Sequence, residues 1–336
     1  MRRCLLALPA LLALAGPAAA KPVTPAPGAV PFTVTAAPIE RFRIRSDERR
    51  FGALEFRGGL ELSGDSRNFG GISGLSLDAR GERFVAVSDA GLWVTGRFVE
   101  RDGRLAGVED TAIGPILGTD GKALMLTGGG DTESVAMDGS GTAYVGIEGV
   151  NEIRAFPFGR DGLMARGAPV PLPAAAKTLP SNRGFEAIGI APAATPIAGA
   201  LIAISERSSD TGPTTRGFLV GGPAPGEFAV RRTDGFDVTD LTFLPGGDLL
   251  ILERRFSLLR GVAMRLRRIA IADVKPGAVL DGPVLMEAER GEQIDNMEAL
   301  AVSRGDKGEI ILTVMSDDNY NFFQRTLVLR FALVED

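Results

Sequence analysis

Histidine is absent from this 336-residue chain, and cysteine occurs once, at Cys4. The first absence removes Ser-His-Asp and Cys-His nucleophile systems, histidine-ligated zinc and histidine general bases. Any reaction must then rest on carboxylates, arginines, lysines or a bound metal. Positive charge is outnumbered, with 37 Lys and Arg against 42 Asp and Glu. Nucleic acid is therefore not the expected partner, because polyanion binding needs clustered cations. Helical periodicity with proper caps is missing as well, which leaves alternating, strand-like runs as the dominant pattern.

The N-terminus reads as an export signal. Arg2 and Arg3 precede an apolar run from Leu5 to Ala15, and Ala18-Ala19-Ala20 offers a small-residue cleavage site. The run is shorter than the roughly 20 apolar residues of a membrane anchor. The arginine pair raises the twin-arginine route, but Cys4-Leu5 stands where that signal calls for a bulky residue, so the general secretory route is expected. Cleavage after residue 20 would leave a periplasmic or secreted protein with no thiol and no disulfide. Residues 21–38 hold five prolines and read as an extended linker, with a single domain over 39–336.

Within that domain a hairpin recurs, clearest in DTESVAMDGSGTAYVGIEG at residues 131–149. Glu133 precedes one strand, Asp138-Gly139-Ser140-Gly141 form a turn, and Glu148 ends the returning strand. An antiparallel hairpin brings its ends together, so the two acids should lie side by side. The same grammar pairs Glu186 with Glu206, Asp240 with Glu253, and Glu298 with Asp317, while Ser73 and Asp89 form a half-acidic copy. Repeats start near residues 71, 131, 184, 237 and 295, close to the length of a four-stranded propeller blade. The expectation is an all-β propeller of six four-stranded antiparallel blades, with five as the alternative. Leu54 to Leu62 would pair with Thr326 to Leu333 to close the ring.

Six motifs in order, among them SNRGFEAIGIAP, LIAISER, DVTDLTFLPGGDLLILERRF and SDDNYNFFQRTLVLRF, resemble the bacterial phytase-like family, also described as esterase-like activity of phytase. The resemblance spans Leu54 to Leu333. It implies a secreted β-propeller and, by the family's name, phosphoester or ester hydrolysis. It carries acidic positions onto Glu133, Glu186, Glu206, Glu253, Glu298 and Asp317, with Ser73 and Asp240 as departures.

Acids converging on one axis suit a divalent cation, most simply Ca²⁺, which takes about six to eight oxygen ligands. The expected ligands are Asp89, Glu148, Glu206, Glu253, Asn296, Asp317, Asp318 and Asn319. Glu133, Glu186 and Glu298 are the expected catalytic carboxylates, and Arg207 and Arg254 would stabilise developing negative charge. The substrate would be a small anion or ester, and a monomer is expected. The competing reading makes each acid an acceptor for backbone N–H groups of the next blade, in a propeller that binds a ligand or protein without turnover. A lactonase-type propeller is a third reading. Arg260, Arg265, Arg267 and Arg268 alternate with apolar residues and read as a solvated outer face.

Overall fold

The computed structural model describes residues 22–180, 183–208, 212–257 and 261–334. The expected signal peptide lies outside the described residues. Five sheets succeed one another along the chain. The innermost strands are Ile72–Leu77, Thr132–Met137, Phe185–Ile190, Asp237–Phe243 and Asn296–Arg304. Each packs against the innermost strand of the next sheet, and the fifth packs against the first, so the ring is closed. This is a five-bladed propeller.

The hairpins form for local reasons. In blade 2, Asp138 Oδ1 accepts the N–H groups of Ser140 and Thr142 at 2.9 Å each, the side-chain-to-backbone turn that Asp favours. Between neighbouring blades lies a separate apolar cluster. Trp93 and Ile116 of blade 1 meet Val135, Val145 and Ile147 of blade 2, for example. Burial between blades, rather than one central core, therefore holds the ring together.

The sixth blade is not formed. Only three strands, Asn296–Arg304, Ile310–Asp317 and Thr326–Leu333, remain after the fourth blade, and the chain start completes the fifth. Leu54–Gly64 pairs antiparallel with Thr326–Leu333, as expected for ring closure, and Val34–Ile39 adds outside it. The proline-rich segment is thus extended but built into the fold rather than a linker. Pro38 and Ala36 sit in the ladder, and Val23 exchanges two hydrogen bonds with Asn68 at 2.8 Å each. An edge position tolerates proline, because the missing N–H faces away from the partner strand. No helix among the described residues is long and apolar enough to cross a membrane.

Candidate functional site at the channel mouth

Every innermost strand carries a β-bulge at the same place. One residue is extra against the second strand, and the five extras are Ser73, Glu133, Glu186, Thr239 and Glu298. A bulge re-aims its side chain away from the regular alternation. Beside each bulge, the second strand places the residue that follows the paired position: Asp89, Glu148, Glu206, Arg254 and Asp317. Ten rim positions therefore surround the channel mouth, and seven are carboxylates. Below the bulges the channel holds a cavity of about 180 Å³ between the five innermost strands, lined by residues such as Leu75, Val135, Ile188, Leu241 and Leu300.

Blade 4 breaks the pattern, and there the sequence expectation needs correction. Its rim pair is Thr239 and Arg254, one residue away from the expected Asp240 and Glu253 on each strand. Asp240 accepts the N–H of Leu300 in blade 5 at 2.6 Å and of Leu241 at 2.8 Å, so it ties two blades together. Glu253 points away from the mouth and is fully buried against Arg265 and Arg267, with contacts of 2.6–2.8 Å. Those two arginines are 2% and 1% exposed, not solvated. Arg265 also stacks on Phe236 at 4.3 Å.

Arg254 takes the place of an acid and reaches across the mouth. It lies 2.9 Å from Glu298 and 3.6 Å from Glu206, and it bonds to Asn296 Oδ1. Asn296 in turn donates to Glu298 at 2.8 Å and to Asp317 at 3.3 Å, so its amide bridges charged groups. Arg207 lies farther out and forks onto Asp237.

Across the mouth from Arg254, the groups that act most strongly on Glu133 and Glu148 among the described residues include no arginine or lysine. Carboxylate oxygens of Asp131, Glu133 and Glu148 all lie within 4.8 Å of one another. Glu148 is also within hydrogen-bonding reach of Glu186 and accepts the N–H of Gly184 at 3.3 Å. Burial raises Glu133 and Glu186 well above the usual carboxylate range, and neighbouring acids raise them further. Asp89 is pushed up to about 7 by burial and then by Glu298, Asp131 and Asp318. Glu148 also reaches about 7, through burial and then Asp131. Glu206 and Asp317 are raised, both first by burial. Glu298 is raised by burial, with Arg254 opposing.

The residues present fit a hard cation. The donors are all oxygen, and Asp89 Oδ1 is buried with no hydrogen-bond partner. Asp131, which the sequence reading passed over as a ligand, belongs to this group because it immediately precedes the strand that carries Glu133.

The segment after Asp317 is a clasp between blades 5 and 1. Asp318 spends both oxygens on protein donors, accepting from Gly71 N–H at 2.9 Å, Tyr320 N–H at 3.0 Å and Thr326 Oγ1 at 2.9 Å. It is therefore a tie and not an open ligand. Asn319 is exposed and donates its backbone N–H to Asp317 at 2.6 Å. Asn319 and Tyr320 both adopt left-handed backbone, with φ of 47° and 48°. Such strain persists where surrounding bonds over-determine it. Gly71 makes room for the clasp, because a Cβ there would lie 2.2 Å from Asp89 Oδ1 and 2.4 Å from the Tyr320 ring.

Among solved structures, the chain is similar to an endo-arabinase from Bacteroides thetaiotaomicron VPI-5482 (TM-score 0.48, 13% identity, 80% of this chain and 96% of that one). It is also similar to a PQQ-bound aldose sugar dehydrogenase from Streptomyces coelicolor (TM-score 0.41, 14% identity, 91% and 100%). A streptogramin B lyase matches at TM-score 0.36 and 10% identity, over 91% and 88%. No curated protein matches the sequence. The family described as phytase-like, esterase-like activity of phytase, matches residues 67–320, which span most of the blades and the whole acidic rim. The chain belongs to this phytase-like family.

Proposed function

We propose that the protein is a periplasmic or secreted hydrolase of phosphoesters or esters that works at the channel mouth with a bound divalent cation, most simply Ca²⁺. The observation that carries this reading is the unbalanced cluster of Asp131, Glu133 and Glu148, with their carboxylate oxygens within 4.8 Å and no arginine or lysine among them. Crowded carboxylates repel one another, and a divalent cation relieves that repulsion. Asp131, Glu133 and Glu148 would hold the ion, with Asp89 beside them. Such an ion polarises a phosphoryl or carbonyl oxygen and lowers the pKa of bound water.

The chain's own groups supply the rest. Arg254, fixed by Glu298 and Asn296, presents a guanidinium toward the mouth and would hold an anionic oxygen of substrate. Glu186 is raised by burial and then by Glu206 and Glu148, which makes it a stronger proton acceptor than an ordinary carboxylate. Asn296 and Asp317 would keep Glu298 and Arg254 in register rather than ligate the ion.

The test is calorimetric titration of Ca²⁺ into chelator-stripped protein, with thermal melts before and after and a screen of phytate, aryl phosphates, aryl esters and lactones. Binding with a raised melting temperature, lost in Glu133→Gln and Glu148→Gln, is expected. Absence of binding and of turnover in the wild type would sink the reading and favour a non-catalytic propeller with acids as blade ties, the role Asp240 already plays.

A further inference from the structure

Adjoining the acidic rim, and sharing Glu206 and Arg254 with it, lies a cleft of about 680 Å³ whose lining also includes Phe256, Val262, Asn296 and Phe323. Its walls are unusual for a surface. Phe256 is 67% exposed and Phe323 78%, and Phe322, 84% exposed, meets Phe323 edge-on at 5.7 Å. Scattered exposed apolar residues are ordinary, but two exposed phenylalanines lining one polar-floored cleft, with a third ring against one of them, mark a binding surface.

The walls come from two different blades. Phe256 and Val262 are cross-strand partners in the hairpin Leu249–Ser257 and Gly261–Ile269, on the strand that also carries Arg254. Phe323 belongs to the clasp after Asp317, where its N–H donates to Asn321 Oδ1 at 3.1 Å. The clasp is anchored at its base by Asp318 and Tyr320, so the ring is held beside the mouth.

We infer that this cleft is a substrate subsite for an aromatic or branched apolar group, with Phe256 and Phe323 as its specificity-determining walls. The ligand is then amphipathic: one anionic or ester head at Arg254 and the cation cluster, and one apolar group between the two rings. A polyanion fits poorly here, because Glu206, Asp237 and Asp295 line the same cleft and Arg207 is already paired with Asp237. The head-group half of this inference rests on the proposed cation-dependent hydrolase, while the apolar half rests on the cleft alone.

The experiment compares 1-naphthylphosphonate with methylphosphonate, neither of which can be hydrolysed, by calorimetry on the full chain with and without saturating Ca²⁺. The naphthyl compound is expected to bind on the order of tenfold tighter, the effect of burying one ring. The double substitution Phe256→Ala with Phe323→Ala should bring that ratio to within about twofold. Equal affinities in the wild type, or a preference that survives the double substitution, would overturn the subsite. If Ca²⁺ does not bind but the preference persists and still needs both rings, the subsite stands and the cation reading falls. Ca²⁺ binding with no aromatic preference overturns the subsite alone. Ring-dependent binding to phosphatidylcholine vesicles without discrimination between the phosphonates would also overturn it, and make the rings a surface contact.

Discussion

Blade 4 carries a buried carboxylate, Glu253, within a short distance of the channel mouth, yet its surroundings are the reverse of those around Glu133. Glu253 is matched by Arg265 and Arg267, whose outer nitrogens reach Asp234 and Asp281 at 3.3 and 3.0 Å. Glu133 faces Glu186, Glu298, Asp131 and Asp89, all of its own sign. A balanced buried cluster is complete as it stands and serves the fold. An unbalanced one is complete only with a proton or a cation, and this makes it the candidate for chemistry. Arg254 divides the mouth between these regimes, compensating the side near Glu206 and Glu298 and leaving the side near Glu133 and Glu148 open.

Breaking the balanced cluster should have the largest effect. Glu253→Ala strands two buried guanidinium groups and should cost about 3–5 kcal/mol in denaturant unfolding, while any Ca²⁺-induced stabilisation persists. A loss below about 1 kcal/mol would mean that water compensates the arginines. Arg254→Met should next reduce turnover by roughly 10²–10³, the effect of removing one charge-stabilising donor, with Ca²⁺ affinity retained. Loss of Ca²⁺ binding together with turnover would show that Arg254 organises the whole rim instead.

The unbalanced cluster should reveal itself through pH. Asp89 and Glu148 bind protons more tightly in the folded protein than in the unfolded chain, where they titrate near 3.8 and 4.5. Their contribution to stability is therefore full below those values and is lost as pH rises through about 7. Chelator-treated protein should melt at a lower temperature at pH 7.5 than at pH 5, and saturating Ca²⁺ should remove or reverse the difference. A melting temperature that rises over this range without Ca²⁺ would contradict the proton-linked account. Smallest of all, Tyr320→Phe removes only long bonds, 3.3 Å to Ser88 Oγ and 3.4 Å to Asn68 O, and should cost no more than about 1 kcal/mol by thermal unfolding.

How much was legible in the sequence differs from blade to blade. Blades 2, 3 and 5 gave both rim acids, because an apolar residue two places after the bulge fixes the register: Val135, Ile188 and Leu300. Blade 4 misled through resemblance. Its ILER looks like ISER of blade 3, but Leu252 pairs where Ile204 does, which moves Glu253 to the Ser205 position and Arg254 to the Glu206 position. On the first strand Leu241 is the counterpart of Leu300, which makes Thr239, not Asp240, the counterpart of Glu298. Asp318 was misplaced for another reason. A carboxylate in a polar loop looks the same in sequence whether it is open or bonded to a glycine N–H 247 residues earlier.

The chain by itself determined the repeat, the strands and turns, the closing pair at its two ends and the exclusion of histidine chemistry, because these follow from local periodicity and from residue types present or missing. Only the tertiary structure decided the blade number, the crowding of Asp131, Glu133 and Glu148 on one side of the rim, and the cleft walled by Phe256 and Phe323. Each of these depends on which side chains from different blades meet, and a one-residue bulge is enough to send a carboxylate into the channel or into an arginine pair.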